Sequence, residues 1–155
     1  MTTLTAIQAA IVAALAADLG TFDLSATDQV KEGTYQMPPG STAFAAVEPI
    51  AVTDSEPQGR ARWFRRRALV TIRLWAPYTA ETTGDRAARA RLLLHEAAAA
   101  LDAARRVGTN ALYRCQRFLI RSAQPDPAAA NAPSTWASGA LVVELTFLST
   151  SGFGG

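Results

Sequence analysis

Hydrophobic positions recur along this chain in two distinct periods, and the switches between them mark the elements. Within residues 85–106, Ala90, Leu93, Leu94, Ala97, Leu101 and Ala104 fall on one helical face, while Asp85, His95, Glu96, Asp102 and Arg106 fall mostly on the other. Thr82, Thr83 and Asp85 are N-cap types and Gly84 breaks the preceding extended run, which sets the start. Arg105 and Arg106 suit the negative end of the helix dipole, and Gly108 stops the helix. Small residues between the leucines let this helix lie close against a sheet. Each leucine buried there contributes about 1.5–3 kcal/mol. Leu4, Ile7, Ile11 and Leu15 give the same period to a first helix, running from Thr3 or Thr5 to Leu19 and stopping at Gly20.

Period-two alternation takes over elsewhere. Thr42, Phe44, Ala46, Ile50 and Val52 predict a strand from Ser41, with Pro49 confining it to an edge or a bulge. Residues 54–59 (DSEPQG) have turn chemistry. In the next strand, residues 60–76, Ala68, Val70, Ile72, Leu74 and Ala76 alternate with Arg67, Leu69, Thr71, Arg73 and Trp75. Residues 112–121 predict a third strand and 141–148 a fourth, while residues 21–40 and 125–138 are irregular and 149–155 form a mobile tail. The sum is one α+β domain over residues 1–148, in the order α-β-β-α-β-β. Its mainly antiparallel four-stranded sheet is covered by an N-terminal and a central helix. A domain of this size is about 40 Å across. Residues 60–76 fully extended reach about 55 Å, so the hairpin over residues 42–77 projects past the core and rests on something, most simply a neighbouring subunit.

Composition narrows the classes further. Hydrophobic residues at 49% and charged residues at 18% describe a globular chain, and a net charge of +2 exerts no global pull on nucleic acid or anionic lipid. The cations are fourteen Arg and one Lys, a bias that reads as coding composition rather than chemistry. The single Cys115 excludes an internal disulfide and fits a reducing compartment. Residues 1–17 are uncharged but lack the basic segment of a signal peptide, and no run is long enough to span a membrane.

Catalytic and metal-binding patterns do not assemble. His95-Glu96 begins like an HExxH zinc helix, but Ala99 stands where the second histidine belongs, and His95 reads as solvent-facing. Cys115 reads as a small core residue in mid-strand, the acids are scattered, and no glycine-rich phosphate loop is present. The expectation is a chain that is not an enzyme and uses no cofactor or metal, although a site assembled between subunits stays open to one sequence.

The one concentrated feature is RARWFRRR: Arg60, Arg62, Trp63, Phe64, Arg65, Arg66 and Arg67. Arginine with stacking aromatics suits single-stranded nucleic acid, read along residues 60–73. The same residues suit a partner-facing hairpin kept soluble by alternate charges, and the nearly neutral chain favours that. Leu92, on the helix side away from the core, is a second candidate contact.

An Ala-rich first helix, the segment YQMPPGSTAFAAVEP, a long hairpin ending in RALVTIRLWAPYT, the helix DRAARARLLLHEAAAALDAARR and two closing strands together give a pattern of elements. It resembles the tail terminator (tail completion) proteins of long-tailed bacteriophages and gene transfer agents, over roughly Ala6 to Phe147. The resemblance implies a homo-oligomeric, hexameric ring on the head-proximal end of the tail tube. Such a ring ends tube polymerisation and meets the head-side connector, with a central channel through which DNA passes without sequence-specific binding. It implies a virion protein of the tail or neck, made in the bacterial host cytoplasm, with the major tail tube protein and the connector as partners, no membrane and no catalytic residue. A head–tail connector or stopper of the neck is the neighbouring structural reading.

Overall fold

A computed structural model describes residues 2–59, 62–126 and 135–150. Helix α1, Leu4–Ala16, starts at Thr3, whose hydroxyl accepts the Ala6 N–H at 3.1 Å, and it buries Ile7, Ile11, Ala14 and Leu15. The strands are β1 (Val30–Glu32), β2 (Phe44–Val47), β3 (Ala51–Gln58), β4 (Trp63–Pro77), β5 (Arg117–Pro125) and β6 (Trp136–Ser149). Between β4 and β5 come the one-turn α2, Ala80–Thr83, and the long α3, Arg86–Arg105. Asp85 caps α3 by accepting the Ala87 N–H at 3.0 Å.

The described residues are therefore mixed α+β, with a six-stranded sheet and three helices. The order across the sheet is β1-β2-β4-β6-β5, and β3 also pairs with β4. β4 is the spine. One of its edges takes β2, from Phe44↔Trp75 to Val47↔Ile72, and then β3, from Ala51↔Leu69 to Gln58↔Trp63. Its other edge pairs with β6 along nearly the whole length, from Phe64↔Ser149 to Pro77↔Trp136. All pairings are antiparallel except β1 on β2.

Alternation along the two long strands divides the sheet into two faces. Ala68, Val70, Ile72 and Leu74 lie with Leu141, Val143, Leu145 and Phe147 in one core, together with Ile7, Ile11, Leu15, Leu93, Leu94, Ala97 and Leu101 of α1 and α3. The intervening residues form an open face that carries no helix among the described residues. Leu94 of α3 packs against the sheet at Gly139, where an added Cβ would lie 2.9 Å from Leu94 Cδ1 and 2.8 Å from the Gln124 backbone oxygen.

Several expectations are corrected. The sheet has six strands rather than four, since the expected first strand is interrupted at residues 48–50 and a three-residue strand, β1, lies in the segment read as irregular. Residues 54–58, read as a turn, are strand β3; its one paired edge is to β4, which leaves the other side free to tolerate Pro57. Residues 112–114 are turn and β5 begins only at Arg117, leaving Cys115 ahead of the strand, because Asn110 donates to the Ala104 carbonyl at 2.6 Å and accepts the Tyr113 N–H at 3.0 Å. Ser149, expected in the tail, is buried and paired opposite Phe64 in β6. The rest of that tail, residues 151–155, and most of the expected 125–138 loop lie outside the described residues.

Glu96 is also more than an exposed helix residue. Its carboxylate accepts the Thr21 N–H at 3.0 Å and the Phe22 N–H at 3.3 Å, tying the segment after α1 to α3. Arg89 reinforces that tie, with its guanidinium 4.8 Å above the Phe22 ring and its Nε donating to the Pro77 carbonyl at 2.6 Å.

Candidate functional site

The β3–β4 arm differs from the rest of the sheet in exposure. Residues 51–57 of β3 are exposed on both faces, whereas the half of β4 that pairs with β2 is buried or half-buried. The arm is not a lone hairpin, because β6 continues along β4 to Ser149 and the Thr2 N–H donates to the Leu148 carbonyl at 3.2 Å.

The arginine-rich segment divides between the two faces. Arg65 and Arg67 point to the open face, where Arg65 pairs with Glu56 at 3.1 Å. Arg66 does not lie on a free surface: it is 2% exposed, opposite the fully buried Phe147, with its guanidinium 5.9 Å from the centre of the Phe64 ring. The reason is the pleat, because position 66 shares its face with Ala68 and Val70 of the core. Phe64 is half-buried on that same face, while Trp63 is 39% exposed and Arg62 is exposed. Arg60 lies outside the described residues. Leu92 is exposed on α3, across the sheet from Arg65 and Arg67, so the fold does not gather it with the arm.

What sequence reading missed is the row beside these arginines. In register across four strands lie Asp54, Arg67, Thr146 and Arg117. With Glu56 and Arg65 they line a groove of about 320 Å³ on the open face. The period-two run Asp54, Glu56 opposite Arg67, Arg65 was the available signal, hidden because Ser, Pro and Gln punctuate it. Further along the same face, Arg73 pairs with Glu48 at 2.8 Å, and Arg121, at a bulge in β5, donates to the buried Glu144 at 2.7 Å. The far end carries an aromatic group in which Phe44 lies 5.0 Å from Tyr35 and 5.8 Å from Trp75 between ring centres.

The nucleophile and metal candidates sit elsewhere. Cys115 is buried just before β5, its thiol donating to the Ala111 carbonyl at 3.5 Å, and burial pushes its pKa up to about 11 against a weaker opposing pull from Arg105. A thiol held neutral in this way is a poor nucleophile near pH 7. His95 is exposed, and among the described residues no three His, Cys, Asp or Glu side chains gather to hold a metal ion. No helix among the described residues is long and apolar enough to cross a membrane. Compared with known proteins, the chain matches no family model and no curated relative.

Proposed function

We propose that the chain is a structural component of a phage-like particle: a ring-forming tail terminator that caps the head-proximal end of the tail tube and joins it to the head-side connector. The observation that carries this reading is the arm. A strand whose residues 51–57 are exposed on both faces, with one edge unpaired among the described residues, invites a protein partner. The sequence pattern supplies the kind of partner: identical copies of the chain, arranged in a closed hexameric ring. One ring face complements the last tube ring and the other does not repeat it, so growth stops. Function on this reading resides in surfaces and uses no catalytic residue, metal or cofactor, and DNA crosses the central channel without a sequence-specific contact.

The test is native mass together with electron microscopy, with and without a major tail tube protein of a long-tailed phage. The expected result is a hexamer alone or on tube ends, and tubes whose length is limited when the protein is present. A strict monomer at every concentration, with tubes of unchanged length and bare ends, overturns the proposal.

A further inference from the structure

The open face carries five arginines whose partners can be followed one by one. Arg65 is paired with Glu56, Arg73 with Glu48 and Arg121 with Glu144. Arg67 and Arg117 have no ion pair among the described residues, and both flank Thr146 in the same cross-strand row. Neighbouring strands lie about 4.8 Å apart, so the two Cα atoms straddle Thr146 at about 10 Å and their long side chains can converge above its hydroxyl. Asp54, at the end of the row, turns a carboxylate oxygen to the Ser55 N–H at 2.8 Å.

We propose that Arg67, Thr146 and Arg117 form a seat for a single carboxylate presented by a protein partner. This rests on the partner-surface reading of the arm. In the groove three cations stand against the carboxylates of Asp54 and Glu56, leaving one unit of positive charge, which one carboxylate neutralises. Guanidinium pairs bind carboxylate through short charge-assisted hydrogen bonds, and the threonine hydroxyl adds a third donor. Half-buried Leu69 and Leu119 border the seat one row further along, on either side of Glu144, so the incoming side chain is expected to have apolar neighbours. A polyphosphate chain fits less well. It needs a continuous track of free cations, and the flanking arginines are already compensated by acids that repel phosphate.

The test uses the whole chain and follows its arginine side-chain NMR signals during titration with poly-L-glutamate or with a dT oligonucleotide of equal charge. Poly-L-glutamate is expected to shift the Arg67 and Arg117 signals. The double variant Arg67→Gln/Arg117→Gln should bind it about tenfold more weakly. The charge-matched Arg91→Gln/Arg106→Gln variant, on α3 and at its C-terminal cap across the sheet, should bind it within twofold of the parent, and circular dichroism checks that both variants are folded. Equal losses in the two variants, unmoved Arg67 and Arg117 signals, or tighter binding of the oligonucleotide overturn the seat. Native mass measured in parallel keeps the two proposals apart. A chain that seats poly-L-glutamate yet never assembles refutes the ring and leaves the seat, whereas rings formed by a chain that ignores poly-L-glutamate do the reverse.

Discussion

Gly139 is the point at which the β5–β6 packing beneath α3 is most sharply testable. It sits on the core face of β6, opposite Leu74 of β4 and Pro125 of β5. A Cβ at this position would stand 2.8 Å from the Gln124 carbonyl oxygen, 3.2 Å from the Pro125 Cα and 2.9 Å from Leu94 Cδ1. The leucine methyl can rotate away, but the other two atoms belong to the backbone of a neighbouring strand and move only with the ladder. Gly139→Ala therefore overpacks a site that cannot yield locally, at about 1–3 kcal/mol. For a domain of this length that is about 3–10 °C in melting temperature. Gly40→Ala is the control, since a Cβ there meets nothing within 4 Å. Thermal unfolding followed by far-ultraviolet circular dichroism reads both variants. If Gly139→Ala melts with the parent, the close approach of the β5 backbone to Gly139 is wrong.

Other predictions are independent of that one. Glu96→Ala removes the acceptor of two backbone amides, and at a half-exposed site it should cost about 1–2 kcal/mol in urea unfolding. It should also accelerate hydrogen exchange at Thr21 and Phe22 specifically; unchanged exchange there would show that the tie is not maintained in solution. Cys115 is a group whose folded pKa, about 11, lies above its unfolded value of 9.0, so folding favours the neutral thiol. Its contribution to stability is complete below pH 9, falls between about pH 9 and 11, and totals about 2–3 kcal/mol. Cys115→Ala should flatten that alkaline loss, and iodoacetamide should label the parent slowly until denaturant is added. Oligonucleotide binding, where it occurs, should show a salt slope near −1.4, set by the two unpaired arginines, rather than the roughly −3.5 of five phosphate contacts to single strands.

The helices and the long central strand were legible because each buries a face whose period is written in the residues. Of the cap types read at the start of α3 the cap is Asp85, α1 starts at Thr3 rather than Thr5, and Ala90, Leu93, Leu94, Ala97 and Leu101 are the buried positions of α3. Periodicity fails where burial does not impose it. β1 has three residues, too few to show a period, and gains its place by pairing in parallel with β2. β3 buries neither face, so Asp54, Ser55 and Pro57 look like a turn although they form a ladder with β4. Glu96 was read by its angle around α3, which says nothing of a distant segment whose amides need an acceptor. The arginine row was out of reach for a related reason: Arg67, Thr146 and Arg117 come from three strands, and only register aligns them.

Register also bears on which symmetry the arm permits. The free edge of β3 is a template for a further strand, and the simplest addition would be the β3 of a second copy running antiparallel about a twofold axis. Antiparallel partners directly opposite one another share a face. Asp54 and Glu56 both point to the open face, as their partners Arg67 and Arg65 do. Self-pairing that keeps the two open faces on one side must therefore set even-numbered positions against even-numbered ones. The registers that pair most of the regular stretch 54–58 then oppose Asp54 to Asp54, Asp54 to Glu56, or Glu56 to Glu56. Each opposition is a like-charge pair, and the cost recurs symmetrically in a twofold contact. A different surface brought to the same edge suffers no such penalty. The acids of β3 thus select against the isologous dimer and in favour of a heterologous contact, the kind that repeats around a ring until rotation closes it.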